Sequence, residues 1–137
     1  MRGTRAATVE ARDGLLIVRI RSGVRQTLED ARANLAACTA EWAAAGLPVG
    51  GVLLDLTAAV PLEPEVRHFY RGPAIHEICN ALGIVVEVSP LGRMMGNVYL
   101  RVARLQVPRR VFEREDRAWA WLQGLARSRS GRSRRRV

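Results

Sequence analysis

Gly51 to Thr57 reads GVLLDLT, a nearly continuous apolar run that Gly50 precedes and a loop with Pro61 and Pro64 follows. A short run without polar alternation is the pattern of a central strand covered on both faces, as in parallel sheets. Leu82 to Val88 (LGIVVEV) repeats it, rich in β-branched residues and bounded by Asn80 and by Ser89-Pro90. Upstream, Thr8 to Ala11 and Leu15 to Ile20 flank Arg12-Asp13-Gly14, and Asp-Gly supplies the positive φ of a tight hairpin turn. Arg110 to Glu113, after Pro108, reads as a last short strand.

Helical patterns fill the intervals. Thr27 with Asp30 three residues on has the form of a capping box, and Leu28, Ala31, Leu35, Cys38 and Trp42 recur on one face up to an end near Gly46. Pro64 suits a helix start, and the stripe of Val66, Phe69, Tyr70, Ile75 and Ile78 is interrupted by Gly72-Pro73. Ser89 caps a helix opening at Pro90, with Leu91, Met94, Met95, Val98, Val102 and Leu105 along one side and Gly92 and Gly96 allowing close approach. Glu115 to Leu125, with Ala118, Trp119, Leu122 and Leu125, closes the pattern. The alternation predicts a single α/β domain over residues 8–125, a mixed sheet of about five strands with about four helices. Residues 1–7 read as an N-terminal extension and residues 126–137 as a disordered basic tail.

Composition narrows the setting. A chain of 137 residues, 48% hydrophobic and 26% charged, suits one core and needs neither disulfide nor metal to fold. No apolar stretch approaches the roughly 18 residues of a membrane span. Arg2 and Arg5 lack the apolar block of a secretory signal, so a cytoplasmic setting is expected, with Cys38 and Cys79 as reduced thiols. The net charge of +9 is concentrated in the tail, RSRSGRSRRRV from Arg127 to Val137. That tail, through Arg127 to Arg136, could contact polyanions by charge alone. Few aromatics are present and none interleaves with those arginines, which argues against a base-stacking surface.

The element order and the VLLDLT strand resemble the STAS or SpoIIAA-like superfamily, to which bacterial anti-sigma factor antagonists belong. The likeness is sharper to a small bacterial branch of unknown function. It is carried by Thr27 to Ala31 (TLEDA), Ser89 to Asn97 (SPLGRMMGN), Pro108 to Phe112 (PRRVF) and Ala118 to Leu122 (AWAWL), and spans about residues 8–124. In regulated antagonists the loop after an Asp-Leu-Ser strand leads to Asp-Ser-Ser-Gly at a helix N-terminus, where one Ser accepts phosphate. Eight residues on from Asp55 this chain has Glu63, Pro64, Glu65 and Val66 instead, carboxylates that repel a phosphate and could mimic one. Thr57 is a displaced hydroxyl, with strand termination as its structural reading.

The best-placed site candidate is Ser89 with Gly92, Arg93 and Asn97, at the carboxyl end of a strand and the start of a helix, where an anion or other ligand could meet free N–H groups and a guanidinium. Against it stands a simple reading of Ser89 as a cap and Arg93 as an ion-pair partner. His76 and Cys79, spaced i, i+3, with His68 two turns earlier, fall short of the converging ligands of a zinc site, and no cofactor is implied. Glu29-Asp30 and Glu115-Asp116 suit first helical turns. The expected function is a non-catalytic interaction module, meeting a protein partner through Glu63, Glu65, Phe69 and Tyr70 and the Ser89 helix. The alternative is a small-ligand or lipid carrier with an apolar pocket lined by that helix.

Overall fold

A computed structural model describes residues 1–70, 72–95 and 107–135, with side chains through Arg129. Six strands form one sheet in sequential order: β1 (Arg2–Gly3), β2 (Ala7–Arg12), β3 (Leu15–Ile20), β4 (Gly51–Asp55), β5 (Ala81–Val85) and β6 (Arg109–Phe112). The first three are antiparallel and β3 to β6 run parallel, giving a mixed sheet. Between β2 and β3, Asp13 at φ 49° and Gly14 at φ 83° make the two-residue turn, with Arg12 facing Leu15 in register. Two consecutive positive φ angles match the strand twist, which is why Asp-Gly is favoured here.

The helices are α1 (Leu28–Ala44), α2 (Pro64–Tyr70), α3 (described over 90–95) and α4 (Glu115–Arg135), with a 3-10 turn at Pro73–Glu77. Alternate residues of β3 point to opposite faces, so Leu16, Val18 and Ile20 join α1 while Leu15 and Ile17 join α4. One core lies under α1, α2 and the 3-10 turn, with Leu16, Val52, Ile84 and Trp42. The other lies under α4, where Ala118 and Leu122 meet Leu15, Ile17, Leu53 and Val85. All five residues of β5 are buried, as the apolar run requires. Among the described residues no helix is long and apolar enough to cross a membrane.

Several boundaries differ from the sequence reading. The strand expected to end at Val88 ends at Val85, leaving Val88 exposed before α3. Leu91 and Met94, expected to face the core, are each 52% exposed, whereas Met95 is buried. Val98, Val102 and Leu105 lie outside the described residues. Where the pattern ends α4 at Leu125, with disorder from 126, helical backbone goes on to Arg135. Arginine is a good helix former, and Arg129 is tied down by donating from Nη2 to the Asn80 carbonyl at 2.9 Å.

The N-terminal extension belongs to the fold. Arg2–Gly3 adds an edge strand, and the residues that follow satisfy polar groups buried on α1. Arg2 Nε donates to Glu41 Oε1 at 3.2 Å and Thr4 Oγ1 to Asn34 Oδ1 at 2.6 Å. Arg5 Nε donates to Asp30 Oδ1 at 3.0 Å, and its Nη2 to Oδ2. The capping box is complete, because the Asp30 N–H donates to Thr27 Oγ1 at 3.1 Å and the Thr27 N–H to Asp30 Oδ2 at 2.8 Å.

These partners hold the Asp30 carboxyl down at about 2, the Arg5 hydrogen bonds being the largest cause. A carboxyl lowered in the folded state contributes stability that is complete above its unfolded pKa of about 4 and is lost as pH falls through about 2. Asp30→Ala should therefore cost about 1 kcal/mol at pH 7 through the lost Arg5 pair and the lost carboxylate half of the capping box. The gap from wild type should close between pH 4 and 2. Urea titrations of both chains at the two ends of that range check it, and an equal gap at both ends would contradict the assignment.

Candidate functional site

The carboxyl ends of β3 to β6 share one edge, which is where open α/β sheets gather ligands and partners. Arg19 in β3 faces Asp55 in β4, donating from Nη1 to Asp55 Oδ2 at 2.8 Å and also to Glu115 at the start of α4. Asp55 Oδ1 accepts the Thr57 N–H at 2.9 Å and the Thr57 hydroxyl at 2.6 Å, an Asx turn that ends the strand. Burial pushes the Asp55 carboxyl up, but the bonds from Thr57 and Arg19 outweigh it and hold the group below the usual range. Asp55 is thus an ionised brace, and the proton of Thr57 is engaged by it.

Glu63 precedes α2, its carbonyl accepting the N–H groups of Val66 and Arg67 and its carboxylate pairing with Arg25 at 2.7 Å. Glu65 is exposed in the first turn. Phe69 and Tyr70 pack edge to face with centroids 5.7 Å apart, and the Arg32 guanidinium lies 5.9 Å over Phe69. The four residues expected to form one partner surface differ in exposure, Glu63, Phe69 and Tyr70 being half-buried. Glu65 faces solvent, whereas Tyr70 is directed inward, because its hydroxyl finds buried partners there.

Ser89 caps α3, its Oγ accepting the Gly92 N–H at 2.9 Å and its carbonyl the Arg93 N–H at 3.0 Å. Arg93 Nε donates to Glu113 Oε1 at 2.9 Å, so the guanidinium ties α3 to the end of β6. Gly92 is required for a reason internal to the chain, since a Cβ there would stand 2.2 Å from the Glu87 carbonyl oxygen. The capping reading accounts for Ser89, Gly92 and Arg93, and Asn97 lies outside the described residues. Around this start Val88, Leu91 and Met94 are exposed, at 64%, 52% and 52%.

A cavity of about 70 Å³ lies between the sheet and α1, α2 and the 3-10 turn. Val18, Leu35, Cys38, Val52, Cys79 and Leu82 form its apolar wall, and Gln26, Asn34 and Tyr70 also line it. The Tyr70 hydroxyl donates to Gln26 Oε1 at 2.8 Å, and Asn34 Nδ2 to the same oxygen at 3.4 Å. Burial pushes the Cys38 thiol up to about 12, with Cys79 nearby adding to it, and the Cys79 thiol up to about 11. Both stay protonated, which leaves them inert as nucleophiles. His76 is exposed while Cys79 faces the cavity, so the helix-face pair does not converge. Among the described residues no three His, Cys, Asp or Glu side chains gather to hold a metal.

The Ser89 helix, along which a pocket is expected, is described only over 90–95, whereas this cavity lies under α1. Periodicity located its apolar wall but not its polar residues. Asn34 was the available signal, a polar residue inside the apolar stripe of Ala31, Leu35 and Cys38.

A family model described as a domain of unknown function, DUF7793, matches residues 9–126. The chain belongs to the DUF7793 family. No curated protein matches it. The DUF7793 match runs from β2 into α4 and takes in the carboxyl edge, the cap of α3 and the cavity. Arg2, Thr4 and Arg5, which serve the buried polar face of α1, lie outside the DUF7793 match.

Proposed function

We propose that this protein is a non-catalytic, STAS-like interaction module that binds a partner protein at the carboxyl edge of its parallel strands, in the cytoplasm. The observation that carries the reading is the exposure of Val88, Leu91 and Met94 around the start of α3, beyond the carboxyl end of β5. Leu and Met half exposed on a well-capped helix start offer apolar area at little ordering cost, and clustered apolar residues rimmed by charge are the usual form of an interface centre. The order of elements from β2 to α4, a hairpin followed by alternating helices and strands, supports the reading. Glu63 and Glu65 stand at the start of α2, the place that the resemblance gives to the acceptor serine of regulated antagonists, so binding here does not depend on phosphorylation.

The Leu91→Glu, Met94→Glu double variant tests this. Its melting temperature should match wild type, because both side chains already face solvent. Its retention of a partner captured by wild-type protein from native cells should fall at least tenfold. Equal retention of that partner, or stoichiometric phosphate on Thr57 by intact-mass analysis of protein from those cells, would overturn the reading.

A further inference from the structure

The cavity under α1 is unused by the proposed docking surface, and its chemistry is selective. Its wall is apolar, and such a space stays dry unless it has polar partners to offer water. Among the described residues its polar groups, the two thiols aside, are those of Gln26, Asn34 and Tyr70. Tyr70 and Asn34 both direct hydrogens to Gln26 Oε1, while Asn34 Oδ1 is taken by Thr4. That leaves the Gln26 Nε2 amide hydrogens without a partner among the described residues, on a side chain 94% buried by its 6% exposure. The amide nitrogen is not sealed off, since the buried side-chain atom without a partner among the described residues is Arg109 Nη1, so an incoming acceptor can reach it.

Size and charge narrow the occupant further. A 150 Å³ cavity takes benzene, so about 70 Å³ corresponds to roughly three or four heavy atoms. Among the described residues no cationic side chain lines the cavity, and the neighbouring polar network leads through Tyr70 and Asn34 toward the N-terminal end of α1, where Asp30 stands ionised. A carboxylate is disfavoured there by desolvation and by like charge. Two neutral thiols complete a soft, uncharged wall.

We infer that the cavity lined by Val52, Cys38 and Gln26 is a binding site for a short neutral aliphatic group of three or four heavy atoms carrying a hydroxyl or carbonyl oxygen, which accepts from the Gln26 amide. The site is separate from the exposed ridge on α3, and occupation of one does not require the other.

Methyl-detected NMR titration of the full chain with 1-propanol, sodium propionate and 1-octanol tests it. 1-Propanol should shift the Val18, Leu35 and Val52 methyls saturably, at least tenfold more tightly than propionate. Cys38→Leu, which fills the space, should abolish that shift, and Gln26→Leu should weaken 1-propanol at least fivefold. Tighter binding of 1-octanol marks the end of a longer chain as the occupant, and no gain with length marks a free short molecule; both support the site. Shifts that stay linear in alcohol concentration, propionate binding as well as propanol, or an unaffected Gln26→Leu would each overturn it. Should Cys38→Leu fail to fold, the Gln26→Leu arm decides alone.

Discussion

Leu122→Ala is expected to lower stability by about 2–5 kcal/mol, toward the upper end of the range for a buried leucine. Leu122 is 1% exposed and stands over two strand glycines. A Cβ on Gly51 would come within 3.1 Å of its Cδ2, and a Cβ on Gly83 within 3.2 Å of its Cδ1. Both glycines lie on the α4 face of adjacent parallel strands, paired in register with Ala81 and Arg110. They make a hollow that Leu122 fills, with Leu15 and Ala118 at its sides. Truncation leaves a void whose floor is backbone and which Leu15, at the side of Gly51, can fill only in part, and the cost of a cavity grows with the volume that remains. Urea denaturation followed by circular dichroism checks the loss, and a cost below about 1 kcal/mol would show that α4 settles onto the sheet. Gly83→Ala should destabilise wild type by crowding Leu122 yet cost less in the Leu122→Ala background, a coupling that a double-mutant cycle reads directly.

That arrangement shows what local sequence can carry. GVLLDLT was readable as a doubly covered strand because apolar residues on both faces need no partner to be recognised, but the use of Gly51 as a seat for Leu122 depends on a contact about seventy residues away. Thr27, Asp30, Asp13 and Gly14 were readable for the opposite reason, their partners lying within a few residues. Arg2, Thr4 and Arg5 gave no such signal. Their meaning lies in Glu41, Asn34 and Asp30, polar residues on a helix face that periodicity would leave to solvent. Leu91 and Met94 misled in the other direction, since spacing places them with Met95 but only Met95 is covered. The candidate site divides in the same way. The cap at Ser89 was legible from Ser-Pro alone, whereas the cavity needed α1, α2 and β4 brought together.

Trp42 is the residue whose loss should affect that cavity most. It is 3% exposed, and its Nε1 donates to the Ile78 carbonyl at 2.8 Å, tying α1 to the segment that carries Cys79. Trp42→Ala is expected to cost about 3–5 kcal/mol. Trp42→Phe separates the two contributions: most of the ring remains, but a buried carbonyl loses its donor, for about 1–3 kcal/mol. Cys38 lies one turn before Trp42 on α1 and Cys79 directly follows Ile78, so this single bond fixes the spacing of the two cavity thiols. Weakening it should therefore raise the rate at which a small alkylating reagent labels Cys38 and Cys79, by more than the change in global stability accounts for. Labelling rates in both variants, compared with urea-derived stabilities, check this. A Trp42→Phe chain as stable and as slowly labelled as wild type would mean that packing of the ring alone, without the hydrogen bond, keeps the cavity closed.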